Sequence, residues 1–165
     1  MQSVKTLRSL LAAVILSFIL VFPAFAKPVQ IPVGYNGSLL VNVLVGKDVG
    51  QATFVIDTGA TSTAISKAAI EALLKAKQAT FIEDVEVTLA DDSKVTTKRY
   101  KISQLTIGDV VIKDIEVLVH DSSETFLLGM NVLSRLEPFS FDLLESGNAI
   151  LTVDDSKVVS VDDGK

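Results

Sequence analysis

From Lys27 onward the sequence runs in a period of two. Apolar and β-branched residues alternate with polar ones in short runs, each closed by a cluster of turn residues. A half-buried strand gives this pattern because successive side chains point to opposite faces. Strands are therefore expected at 29–33, 39–45, 52–56, 81–89, 95–107 with a break, 110–119, 139–144 and 149–153. Gly46-Lys47-Asp48, Asp91-Asp92, Gly108-Asp109 and Ser146-Gly147-Asn148 supply the turns between them. Helical periodicity is confined to one clear segment, in which Ser66 can cap and Ile70, Leu73 and Leu74 form an apolar stripe ahead of Lys75 and Lys77. A shorter helix is expected over 131–136, stopping before Pro138. The pattern predicts an all-β domain, and 165 residues suffice for one core. Residues 154–165 are acidic and almost free of large apolar side chains, so the chain is expected to end in a disordered tail.

The first 26 residues follow a different logic. Lys5 and Arg8 precede an apolar run over 10–22, and Ala24-Phe25-Ala26 offers small residues where a signal peptidase reads. That run has 13 residues, against the roughly 20 a membrane-spanning helix needs. A signal peptide over 1–26 is expected, with export to the periplasm or the medium. Contact with a membrane is expected only if the segment stays uncleaved as an anchor. Cleavage after Ala26 leaves 13 basic against 20 acidic residues, a net charge of −7.

That acidic balance excludes nucleic acid as a partner, since phosphate binding needs a basic surface. With no cysteine and one histidine, His120, the chain has no thiol nucleophile, no disulfide framework and no His/Cys ligand set for zinc. Its chemistry must come from carboxylates, hydroxyls and backbone. A Ser-His-Asp hydrolase built on His120 is disfavoured because no Gly-x-Ser-x-Gly elbow is present. His120, beside Asp121, is expected to be a solvated loop residue.

Phe54-Val55-Ile56-Asp57-Thr58-Gly59-Ala60 is the stretch that can carry chemistry: an apolar strand delivers a carboxylate into a tight loop. Gly59 lets the chain turn and bring backbone N–H groups toward the Asp57 carboxylate, and small Ala60 leaves room for a peptide alongside. Alone, Asp57-Thr58-Gly59 would be an ordinary turn after a strand, so it needs a second motif. Phe126-Leu127-Leu128-Gly129-Met130-Asn131-Val132-Leu133 supplies one, with two large apolar residues and a glycine leading into a helix start.

The two stretches together resemble the retropepsin-like aspartic proteases, a family that pairs Asp-Thr-Gly-Ala with a later apolar-apolar-Gly and a short helix. Asp57 and Gly129 stand in that order and at that spacing. The resemblance covers nearly all of residues 29–153 and extends to single-domain bacterial members with signal peptides. It implies a protease domain over 27–153, folded as a closed β-structure with one or two short helices and working as a two-fold symmetric homodimer. Each copy would supply one catalytic Asp57, in a loop completed by Thr58, Gly59 and Ala60, with the Thr58 hydroxyl tying the two loops together. Leu127, Leu128 and Gly129 would support that loop.

Ala90, Asp91, Asp92 and Ser93 stand where the family places the tip of its flap, although relatives usually carry glycine there. Viral relatives also pair an Asp at the place of Thr61 with an Arg at the place of Met130, and this chain has neither. The implied activity is hydrolysis of a peptide or protein substrate. Two carboxyls about 3 Å apart share one proton, so one partner activates a water while the other hydrogen-bonds the oxyanion. No metal and no cofactor are required. Two other readings leave out turnover: a dimerisation or peptide-binding module that keeps the fold, and an adaptor anchored by an uncleaved 1–26 segment.

Overall fold

The computed structural model describes residues 29–120, 126–136 and 138–154. The expected signal segment and the tail beyond Asp154 lie outside the described residues. Ten strands form one sheet: β1 (Val29–Tyr35), β2 (Leu39–Val45), β3 (Gly50–Ile56), β4 (Thr63–Ser66), β5 (Ala79–Thr88), β6 (Lys94–Ile107), β7 (Val110–His120), β8 (Phe126–Leu128), β9 (Phe139–Leu143) and β10 (Ala149–Val153). Among the described residues two helices accompany the sheet, α1 (Lys67–Lys75) and α2 (Met130–Leu133).

The strand order is β5-β6-β7-β4-β8-β3-β2-β1-β10-β9, and β6 also pairs with β2 through Val43↔Ile107, Leu44↔Thr106 and Val45↔Leu105. That second pairing closes β2, β3, β8, β4, β7 and β6 into a barrel, so the domain is all-β as the sequence pattern predicts and closed as the resemblance implies. Strand β2 shows how the alternation builds it: Val41, Val43 and Val45 are buried, while Asn42 and Leu44 face out. Phe54, Ile65, Ile102, Ile115, Val117 and Leu128 fill the interior with Phe54 fully buried, and such a ring contributes about 2–3 kcal/mol relative to leaving it exposed.

Two pairs in the barrel are parallel, β3 with β8 and β4 with β7. Strand β4 was not among the expected strands. All four of its residues are buried, so Thr63-Ala64-Ile65-Ser66 has no polar face to alternate with, as is usual for a strand covered on both sides. The expected break in the 95–107 run is absent: β6 is continuous, and the irregularity is a bulge at Ile82 in β5, between the pairs Phe81↔Tyr100 and Glu83↔Arg99.

Helix α1 starts where predicted, with the Ser66 side chain accepting from the Ala69 amide at 3.2 Å. Ile70 and Leu73 are buried, whereas Leu74 is 41% exposed and leaves the expected stripe. The helix ends in a Schellman turn, Gln78 N–H to Leu73 C=O at 2.8 Å and Lys77 N–H to Leu74 C=O at 3.0 Å, with Lys77 at φ +57°. Helix α2 is shorter than the expected 131–136 and begins at Met130.

Candidate active site

Asp57 follows β3 directly, and its position is fixed from both sides. Its amide donates to the Leu128 carbonyl at 3.0 Å, extending the parallel register in which Ile56 faces Leu128. Its Oδ1 accepts from the Gly59 amide at 2.8 Å and the Ala60 amide at 3.2 Å. Two backbone donors on one carboxylate oxygen fix the orientation of the carboxylate in its loop. Among the described residues Oδ2 has no hydrogen-bond partner, and neither does the hydroxyl of exposed Thr58.

Gly59 brings its amide to the carboxylate as expected, but not through a left-handed turn, since it is absent from the positive-φ glycines. What restricts the position is proximity: a Cβ there would lie 3.2 Å from Asp57 Oδ1.

The two motifs are brought together. Gly129 is buried against the chain leaving the Asp57 loop, and a Cβ on it would sit 2.5 Å from the Ser62 carbonyl carbon and 2.9 Å from the Thr63 nitrogen. Only glycine permits that approach. The contact is bonded along its length by Met130 N–H to Ala60 C=O at 2.8 Å, Asn131 N–H to Thr61 C=O at 3.1 Å, and Gly129 N–H to Thr63 Oγ1 at 3.1 Å. Leu128 is buried below the loop, while Leu127 is half-buried.

A cleft of about 660 Å³ opens beside this loop. Gly59, Ala60, Ser62 and Leu127 form one wall, and Val85, Val87 and Leu89 of the β5–β6 hairpin form the other. The hairpin that was expected to carry the flap thus borders the cleft. Its tip is a three-residue loop in which Asp92 N–H donates to Leu89 C=O at 3.0 Å and Leu89 N–H to Ser93 C=O at 2.8 Å. Asp92 takes φ +62°, the left-handed place that glycine commonly fills in such a loop. Asp91 Oδ1 accepts from the Ser93 hydroxyl at 2.6 Å and the Ser93 amide at 3.1 Å. These bonds, the hydroxyl first, hold its carboxyl below the usual aspartate range. Ala90, Asp91, Asp92 and Ser93 are exposed, and the cleft wall stops at Leu89.

Sequence reasoning missed Arg99, Glu86 and His120 as cleft residues. His120 is the last residue of β7, opposite Ser66, and lines the cleft rather than standing in a loop. Arg99 pairs with Glu83 at 2.9 Å and approaches Glu116 at 3.7 Å. The signal for Arg99 was the alternation itself, since Val95, Thr97 and Arg99 share one face of β6 and all line the cleft. A second groove, of about 450 Å³, lies between α1 and the hairpin, lined by Ile70, Leu74, Lys98 and Tyr100, and contains no residue of either motif.

Known proteins place this arrangement. No curated protein matches the chain. Among solved structures it is similar to a retropepsin-like aspartic protease from Rickettsia conorii, with a TM-score of 0.55 and 22% sequence identity over 77% of this chain and 92% of that one. At that identity the likeness is one of fold. A family model described as "gag-polyprotein putative aspartyl protease" matches residues 41–135, a span that begins in β2 and holds the Asp57 loop, the hairpin and the Gly129 contact. With more than half its length inside that match, the chain belongs to the gag-type aspartyl proteases, members of the retropepsin-like family.

Proposed function

We propose that the protein is an aspartic endopeptidase that works as a homodimer, each copy supplying Asp57 to one catalytic pair. The observation that carries this reading is the half-built site: Asp57 Oδ1 is held by two amides, while Oδ2 and the Thr58 hydroxyl have no partner among the described residues. A chain with one Asp-Thr-Gly needs the second carboxylate from another copy. Across the two-fold axis the Thr58 hydroxyls gain partners and the two Oδ2 atoms meet.

Like charges at that separation leave one proton on the pair. The ionised carboxylate takes a proton from a bound water as its oxygen attacks the peptide carbonyl carbon. The protonated carboxyl hydrogen-bonds the developing oxyanion, and the leaving nitrogen then receives a proton as the C–N bond breaks. The cleft beside Ala60 and Leu127 holds the peptide, and the β5–β6 hairpin closes over it. Residues 1–26 export the chain and are removed after Ala26, which the N-terminal residue of the mature protein tests.

Digestion of a mixed peptide library by the purified protein, beside an Asp57→Asn control, checks the activity. Cleavage by the parent and loss of at least about a thousandfold in the control is the expected result. Equal cleavage by the two would sink the mechanism, and no cleavage by either would favour a peptide-binding module.

A further inference from the structure

Asn131 makes more bonds between separate segments than any role assigned to it so far requires. Its Oδ1 accepts from the Thr63 amide at 2.8 Å and the Thr63 hydroxyl at 2.9 Å, and its Nδ2 donates to the Glu116 carbonyl at 2.7 Å. Its own amide donates to Thr61 C=O at 3.1 Å. One side chain therefore joins the strand leaving the Asp57 loop, the first turn of α2 and the middle of β7. The Thr63 hydroxyl that it orients accepts in turn from the Gly129 amide, and Thr63 is fully buried.

We infer that Asn131 is a positioning residue for catalysis, the clamp that fixes the exit of the Asp57 loop so that the Gly59 and Ala60 amides stay aimed at the carboxylate. The inference rests on Asp57 being the catalytic group. Asp57 is anchored on its entry side by Leu128 C=O; on its exit side the Met130 and Asn131 amides hold the Ala60 and Thr61 carbonyls, and the Asn131 side chain adds its two bonds to Thr63.

The chemistry of the site selects an amide. Buried Thr63 N–H needs an acceptor and Glu116 C=O receives a donor, and a primary amide offers both from one planar group. A carboxylate of the same shape could satisfy Thr63 but would face the Glu116 carbonyl oxygen with a second acceptor. An alanine would leave the amide of fully buried Thr63 without this partner, and a buried donor left unpaired costs more than a bond is worth.

The test uses the full-length protein with Asn131→Ala, Asn131→Asp, Thr63→Val and Thr63→Ser. Amide proton shifts of Gly59 and Ala60 report their bonds to Asp57, and kinetics are read on a peptide that the parent cleaves. In Asn131→Ala and Asn131→Asp the Gly59 and Ala60 resonances should lose the displacement that the carboxylate bond gives, while the hairpin amides of Val87 and Val95 stay in place. In both, kcat should fall about 10-fold or more with KM within about twofold, because a misplaced catalytic group costs turnover rather than binding. Unmoved Gly59 and Ala60 resonances in a folded variant, or a loss of kcat that merely tracks the unfolded fraction, would overturn the inference.

If the Asn131 variants do not fold, the Thr63 pair decides. Thr63→Val should shift the same two amides and Thr63→Ser should restore them, and equal spectra for the two would also overturn it. An Asp57→Asn control that cleaves as fast as the parent refutes the protease reading by itself, whereas the amide shifts judge Asn131 whether or not peptide is cleaved.

Discussion

At the scale of single residues, Gly129 has the least freedom to change. A methyl group there would lie 2.5 Å from the Ser62 carbonyl carbon and 2.6 Å from its oxygen, both backbone atoms that no rotamer change can move. Gly129→Ala is expected to destabilise the fold by about 3 kcal/mol, the upper end for forcing volume into a packed site. In a thermal scan that corresponds to a midpoint lower by about 10 °C for a chain of this length. Gly59→Ala should behave differently, because the atom its Cβ meets, Asp57 Oδ1 at 3.2 Å, is the tip of a side chain. Its midpoint should move by less than about a third as much, while peptide cleavage drops at least about 10-fold as the carboxylate is pushed off its amides. Equal midpoints for the two variants would refute the distinction. Both glycines were legible as motif positions, but the reason for Gly129 was not. It depends on the backbone of residues 62–63, which enter β4, a strand with no alternation to announce it.

At the scale of elements, the hairpin of β5 and β6 shows what local pattern can and cannot fix. Its strands and turn were readable from β-branched residues around Asp91-Asp92, and its cross-strand charges fall into pairs, Asp84 with Lys98 at 2.7 Å and Glu86 with Lys94 at 2.8 Å. The tip lacks the glycine that relatives carry, yet Asp92 reaches φ +62°, which aspartate tolerates better than most residues. Asp91 then locks the loop through Ser93. Because those bonds lower the Asp91 pKa in the folded chain, the order that they confer is complete above the ordinary aspartate value and is lost as pH falls through the depressed one. The Ser93 amide resonance is expected to titrate with a midpoint below that of an aspartate in an unstructured peptide. Ser93→Ala should move the Asp91 midpoint upward, since it removes the larger of the two causes. An unchanged midpoint in that variant would show that the hydroxyl does not hold the loop. The bulge at Ile82 was not foreseen, because one extra residue in a strand leaves the alternation on either side intact and shifts only its phase.

At the scale of the whole molecule, barrel closure through β2 and β6 joins residues far apart in sequence. No local period encodes that pairing, so the sequence implied it only through resemblance. Closure also gives the Asp57 loop its meaning: β3, β8 and β4 run side by side, so the loop leaving β3 must rest on residues 128–131. On the proposed shared pair the site would belong to two chains, so specific activity should fall on dilution below the dimer dissociation constant. Titrating Asp57→Asn into the parent should also poison it, because a mixed dimer holds one carboxylate and one amide and cannot divide the acid and base roles. With random exchange at equal amounts, about a quarter of dimers keep two carboxylates, and activity per parent chain should drop to roughly half. Sedimentation follows the dimer independently, and isotope-labelled mutant chains establish that subunits have exchanged. Constant activity per parent chain after proven exchange, or full activity from a species that sediments as a monomer, would mean that Asp57 works with a second acid of its own chain. The carboxylates that line or border the cleft from the same chain, Glu86, Glu83 and Glu116, would then be the residues to replace next.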